Sequence, residues 1–353
     1  RVLLGADLRG VSGETRERFQ FVAGAPTRQR VAGGRNLTAG AFVEASNRDG
    51  PLRAILAARL DRWAIRNGSL TERLLADGRT TTTAFPDRSG WVPTGRAALR
   101  WAPSPRLSLD ASAYRGWRLP TLNELYRPFR AGADATAANA LLDPETLIGV
   151  EAGLTLRAAP QFKASLTLFA ARLDDAIANV TIARGPGVFP GVGFVSAAGS
   201  YRRRENLDSI RTRGVEIDVE GDAGPVHLRL SYALVDANVR DNGIGAAFDG
   251  RRPVQVPRHQ LTAAAGWSGS KGLDAGLRIR FVSAQYEDDA NSRRLASALT
   301  IDAHASVRVD RRFRMTLRAE NLFDERVEAT VSERGEVERA TPRTLWAELG
   351  FSL

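Results

Sequence analysis

With 353 residues, 43% of them hydrophobic, and a mean hydropathy of -0.25, the chain is too polar for a bundle of membrane helices. No apolar run reaches the roughly eighteen residues that a spanning helix requires. Cysteine is absent, which excludes a disulfide framework, a thiolate metal site and a cysteine nucleophile, and His227, His259 and His304 lie in separate segments without ligand spacing. The net charge of +10 is almost entirely arginine, with lysine only at Lys163 and Lys271. These arginines are scattered rather than gathered in a tail, which favours pairing with carboxylates on a wet inner face, or with anionic lipid head groups, over nucleic acid.

A β-strand crosses a membrane in about ten residues and shows lipid an apolar side chain only at every second position. That alternation recurs along the whole chain. Residues 1–10 read as the inside of a strand with no leader ahead of it, so either the chain is a fragment of an exported protein or a membrane location is excluded. Strands are predicted next at 36–46, 52–66 and 91–102. At 106–117, Leu107, Leu109, Ala111 and Ala113 share one face while Ser108, Asp110 and Ser112 share the other. Strands at 145–157, 161–178 and 206–221 lead to 225–238, where Val226, Leu228, Leu230, Tyr232 and Leu234 oppose His227, Arg229 and Ser231. After 258–268, the 273–283 strand sets Leu273, Ala275, Leu277, Ile279 and Phe281 against Asp274, Arg278 and Arg280. The last strands fall at 296–309, 312–322 and 342–353. Short connections, such as 47–51, 103–105 and 222–224, alternate with long ones at 11–35, 67–90, 118–144, 179–205, 239–257, 284–295 and 323–341. A sandwich has no reason to sort its loops this way, whereas an up-and-down barrel places tight periplasmic turns at one rim and long extracellular loops at the other. The expected fold is all-β: an antiparallel transmembrane β-barrel with about fourteen strands present, and room for an extra hairpin within 179–205.

Several segments resemble motifs of the TonB-dependent outer-membrane receptors. Trp117-Arg118-Leu119-Pro120-Thr121-Leu122-Asn123-Glu124-Leu125-Tyr126 is similar to the family's aromatic-Arg-x-Pro-Thr-x-x-Glu-Leu-Tyr segment. Asn139 to Thr146 resembles its Asn-Pro-x-Leu-x-Pro-Glu-Thr stretch, and Val150 to Leu154 the strand that follows. Arg213-Gly214-Val215-Glu216 and Glu320-Asn321-Leu322-Phe323-Asp324 match two further motifs in the right order, so the resemblance runs from about Trp91 to Leu353. It implies a barrel of twenty-two strands with an N-terminal plug and a TonB-binding segment, so that about eight strands, plug and TonB segment are expected to lie outside this chain. One departure is the end, Gly350-Phe351-Ser352-Leu353, where the family usually closes on Phe or Trp; Phe351 and Leu353 still share the outward face of Leu345, Ala347 and Leu349.

The resemblance further implies an outer-membrane receptor for a scarce nutrient, an iron-siderophore or similar metal chelate. Its partners would be that small molecule, outer-membrane lipid and the TonB complex, with no cofactor, no resident metal and no nucleic acid. Arg118, Pro120, Thr121, Asn123, Glu124, Pro144, Glu145, Gly214, Glu216, Asn321 and Phe323 are expected to be structural members of the motifs, with Thr121 or Asn123 capping a short helix that has Glu124 at its start. Tyr126, Arg127, Arg130, Tyr201, Arg202, Arg203 and Arg204 place aromatic and guanidinium groups on loops above the mouth, suited to an anionic chelate. The bland alternative for the Arg202–Arg204 run is a solvated loop face. Catalysis finds no support: Asp174-Asp175 and Asp288-Asp289 are sequence neighbours that point to opposite faces of a strand, and no nucleophile elbow, Walker loop or dinucleotide fingerprint is present. Two rivals predict different structures. A complete fourteen-stranded passive channel needs strand 1–10 paired with strand 342–353, and a soluble glycan-active enzyme needs a cleft with two facing carboxylates.

Overall fold

The computed structural model describes residues 1–47, 49–269, 272–332 and 334–351. Lys271, Ser352 and Leu353, and the outward orientation expected for Leu353, lie outside the described residues. Fourteen strands follow one another as antiparallel neighbours: β1 (Val2–Val22), β2 (Ala25–Asn47), β3 (Leu52–Leu74), β4 (Arg88–Ser104), β5 (Leu107–Arg118), β6 (Glu145–Ala159), β7 (Phe162–Arg184), β8 (Ser200–Ala223), β9 (Val226–Arg240), β10 (His259–Ser268), β11 (Leu273–Val282), β12 (Ala298–Arg308), β13 (Phe313–Glu320) and β14 (Thr344–Phe351). Three short strands, Thr80–Ala84, Phe129–Ala131 and Asp134–Ala137, complete this 17-stranded sheet. Among the described residues no helix is long and apolar enough to cross a membrane, which says nothing against crossing by strands.

Register turns the alternation of the sequence into two faces. Leu4 lies opposite Val43, Val43 opposite Ala58, and Leu56 opposite Ala97, so one apolar face continues across β1 to β4. On β4 that outward face carries Pro93, Gly95, Ala97 and Leu99 between Trp91 and Trp101, both well exposed. The two indoles are ten residues apart. At about 3.3 Å per residue and a tilt near 40°, they stand roughly 25 Å apart in height, the separation of the two aromatic girdles of an outer-membrane barrel. The opposite face holds the charges. Arg59 donates to Asp7 and Asp61, each at 2.6 Å, Arg100 meets Asp110 at 2.5 Å, and Arg280 meets Asp302 at 2.8 Å. Neighbouring strands therefore satisfy one another's charges on the inner face.

The short turns lie within two residues of where the sequence put them, as do the long connections 118–144, 239–257, 284–295 and 323–341, but 11–35, 67–90 and 179–205 do not. Residues 11–35 are a hairpin, not a loop: β1 and β2 run without a break to a tight turn at Ala23-Gly24, both with positive φ. Above the lipid both strand faces meet water or other protein, so Glu14, Arg16 and Arg18 alternate with Thr15 and Glu17 and leave no apolar stripe to read. The same holds for Leu74 on β3 and Arg184 on β7, which extend the strands well into segments expected to be loops. Between β7 and β8 a small hairpin, Gly187–Phe189 with Gly193–Val195, occupies the place where an extra one was expected.

Among the described residues no ladder joins β1 to β14, so the pairing required by a closed fourteen-stranded channel is absent and the sheet has two open edges.

An extracellular cap as candidate functional site

The connection after β5 does not hang free but folds back over the inner face. Thr121 is extended (φ -74°, ψ 156°) and caps the one-turn helix α1 (Leu122–Tyr126): its hydroxyl accepts from the Glu124 backbone N–H, and the Glu124 carboxylate accepts from the Thr121 backbone N–H at 2.7 Å. Such reciprocal capping satisfies two donors that a short helix leaves open. Arg118 then clamps the motif from below, bonding Glu124 through both terminal nitrogens and Glu145 through Nε. Glu145 also accepts from the Ile177 backbone at 2.7 Å, which ties the cap to β7. Burial alone would push the Glu124 carboxyl up. The Arg118 guanidinium, with the Thr121 N–H and hydroxyl, outweighs it and holds the group below the ordinary carboxylate value.

Residues of β1 to β3 that the sequence did not single out form the floor of this cap. Pro120 is fully buried and its carbonyl accepts from Asn36 at 3.0 Å; Leu125 and Tyr126 are 0% and 2% exposed. The Tyr126 ring stacks on Phe85 at 5.1 Å and lies against Gly34 and Gly68, where any side chain would strike it. Burial pushes its phenol pKa up. Arg30, itself 5% exposed, binds Glu72 at 2.7 Å, donates to the Pro128 carbonyl at 3.1 Å and sits 4.1 Å from the Phe19 ring. Arg127 pairs with Glu17. No sequence motif marked these partners, most of which lie in strand extensions where the alternation has disappeared.

The other side of the cap is held by β8. Asp134–Ala137 runs parallel to it, with Tyr201 opposite Ala135. Arg204, 9% exposed, donates to the carbonyls of Asn123 and Arg127 and stacks over Phe129 at 5.0 Å. Tyr201 is 6% exposed and stacks on Phe189 at 4.7 Å, and Arg202 meets Asp134 at 2.9 Å. Arg203 pairs with Glu205, while the exposed Arg130 donates to the carbonyls of Val192 and Phe194. All seven residues expected near ligand therefore lie in one neighbourhood. Tyr126, Tyr201 and Arg204 form its interior, and Arg127, Arg130, Arg202 and Arg203 keep part of their surface in solvent.

The remaining motif residues lie elsewhere. Pro144 precedes β6. Gly214 on β8 lies beneath the Phe169 ring and leaves no room for a side chain, and Glu216 stands exposed two residues on. Asn321, at φ 50° and 5% exposed, closes the turn after β13 by donating to and accepting from the Glu325 backbone at 2.8 Å. Phe323 is 72% exposed. No group of three or more His, Asp or Glu suited to a metal ion occurs among the described residues.

Comparison with known proteins gives this architecture a family. Over 264 residues the chain is 27% identical to the iron-regulated outer membrane virulence protein of Vibrio cholerae, matching 71% of this chain and 38% of that protein. It is 30% identical over 124 residues to the ferrichrome outer membrane transporter/phage receptor of Escherichia coli K12, covering 33% of this chain and 16% of that one. The ferric yersiniabactin uptake receptor of Yersinia pestis superposes with a TM-score of 0.75 at 14% identity, over 99% of this chain and 51% of its own. The chain thus spans about half, or less, of the length of these proteins. Since the family model "TonB dependent receptor-like, beta-barrel" matches residues 2–322, the chain belongs to the TonB-dependent receptors, as part of their outer-membrane β-barrel.

Proposed function

We propose that the chain is the wall and extracellular cap of an outer-membrane receptor that takes up an iron-siderophore or similar metal chelate. The observation that carries this reading is the cap: a rigid platform on the inner face, at the long-loop end, whose upper surface presents Arg127, Arg130, Arg202 and Arg203. Guanidinium groups suit anionic chelates because they give charge and paired hydrogen bonds together. Tyr126, Tyr201 and Arg204 serve beneath them, fixing the platform so that little ordering is lost when a ligand arrives. The names of the relatives, ferrichrome transporter and iron-regulated protein, support iron as the cargo. Energised release through TonB belongs, in this reading, to segments that the chain does not contain. In this reading the chain serves binding and passage, which the membership in a family of transport receptors supports.

The test is uptake of radiolabelled ferric siderophores by cells carrying the whole gene, with and without TonB. Substituting Arg130 and Arg203 by Ala should weaken binding of an anionic chelate about tenfold, the loss expected of two solvent-exposed charge pairs, with barrel assembly unchanged. Iron uptake that is the same with the gene deleted would remove the proposal.

A further inference from the structure

On the lower half of the inner face, cations stand opposite cations. Arg53 on β3 lies directly across the ladder from Arg100 on β4, and Arg157 on β6 directly across from Lys163 on β7. Like charges in such positions repel and destabilise the pair of strands. Together with Arg96 they line a recess of about 720 Å³ that they share with two carboxylates, Asp110 and Glu151. A recess of this size falls within the range of small-molecule sites.

The carboxylates are already engaged. Asp110 takes Arg100 at 2.5 Å, Glu151 accepts from the Tyr114 hydroxyl at 3.1 Å, and Lys163 reaches sideways to Glu220 at 3.1 Å. The side chains of Arg53, Arg96 and Arg157 are exposed and make no hydrogen bond or ion pair among the described residues. The recess also continues the wall below the cap. Arg59 is joined through Asp61 to Trp117; Arg96 lies opposite Ala57, two residues below Arg59, and Arg53 stands six residues below it. At about 3.3 Å per residue and a tilt near 40°, the cations descend roughly 15 Å from the floor of the cap towards the short-turn rim.

We infer that this recess is a second anion site, which holds a metal chelate of two or more negative charges on Arg53, Arg96 and Arg157 during its passage from the cap to the periplasmic rim. An anion seated there relieves the repulsion between Arg53 and Arg100 and between Arg157 and Lys163. The carboxylates make the site one of passage: Arg100 and Lys163 have Asp110 and Glu220 to return to, so the anion is held without being trapped, as conduction requires. Exposed ion pairs of this kind cost little to break. The inference rests on the anionic cargo proposed above and names the residues that would select its charge on the way through.

The whole gene product is purified in a mild detergent with Ser165→Cys, inside the recess, carrying a trifluoromethyl label in an otherwise cysteine-free background. It is titrated with a doubly negative gadolinium aminopolycarboxylate and with the neutral bisamide of the same chelate. The anionic chelate is expected to broaden the fluorine resonance at a concentration at least about tenfold lower than the neutral one, in keeping with three exposed cations. The variant R53Q/R96Q/R157Q should respond to both alike, while R172Q/R211Q/R213Q, which removes the same charge from the outward face, keeps the preference. Equal response to the two chelates in the parent carrying only the label overturns the inference without any further variant. A label that neither chelate reaches overturns it in favour of a fixed segment of the gene product covering the arginines, and loss of preference in the outward-face variant overturns it in favour of net charge. In cells, R53Q/R96Q/R157Q should slow uptake of an anionic ferric chelate about tenfold, with surface binding in TonB-free cells unchanged; uptake at the parental rate overturns the role in passage. The label reads the recess alone, so failure of the cap to bind a chelate is seen separately, as lost surface binding.

Discussion

Gly68 shows how one residue can be fixed by a partner far away in the sequence. The Tyr126 phenol lies against it so closely that even a Cβ atom would collide. Gly68→Ala should therefore destabilise the cap by about 1–3 kcal/mol, the usual cost of overpacking, read as a lowered thermal midpoint of the purified protein in detergent. An alanine variant as stable as the parent would mean that Tyr126 has somewhere else to go. Glu124 gives a pH signature of definite sign. Its carboxyl is held below the ordinary value in the folded cap, so its stabilising contribution is complete above the unfolded value and disappears as pH falls through the folded one. Amide exchange in residues 119–131 should accelerate in that acid window, and Glu124→Gln should remove the acid dependence. Thr121 and Glu124 were legible as a capping box because they stand three residues apart before an apolar pair. Arg30, Asn36 and Gly68 were not legible, because nothing local distinguishes them; their role comes from a contact made about sixty to one hundred residues away in the chain.

At the scale of elements, the cap is a one-turn helix and a small hairpin that have no stability of their own, since a helix this short is unfavourable in water. Their order comes from the clamps on either side: Arg118 with Glu145 beneath, Arg30 and Asn36 from β2, and Arg204 from β8. Arg204→Gln removes a buried donor from two carbonyls, a loss of about 1–3 kcal/mol. Exchange in residues 122–137 should rise by about one to two orders of magnitude, while β10 to β14 stay unchanged. Uniform acceleration across the sheet would instead assign Arg204 to global stability. The strand extensions above the lipid were missed for the converse reason. Alternation reports one dry and one wet face, and where both faces of β1 and β2 carry polar groups it reports nothing, although the backbone ladder continues to Ala25 and Val22.

For the whole molecule, the two faces of the sheet predict opposite tolerance to the same substitution. Leu168 stands on the outward face and is 49% exposed, so Leu168→Arg should cost about 2–4 kcal/mol in a bilayer. Ser231 stands on the inner face, donating to Asp218 at 2.6 Å, and Ser231→Arg should be close to neutral because Asp218 can take the new cation. Urea unfolding in lipid vesicles measures both; equal losses would mean that the apolar face is not the lipid face. The open edges at β1 and β14 belong to the same scale, since edge strands carry unpaired backbone donors and acceptors that a membrane does not tolerate. The sequence by itself determined the strand order, the inward and outward alternation and the short turns, because each depends on side chains a few residues apart and on a fixed period of two. Only the tertiary structure decided how far the strands rise beyond the lipid and that the segment after β5 folds inward as a cap. Those features depend on long-range contacts between groups such as Tyr126 and Gly68, or Arg204 and Asn123, whose complementarity no local pattern records.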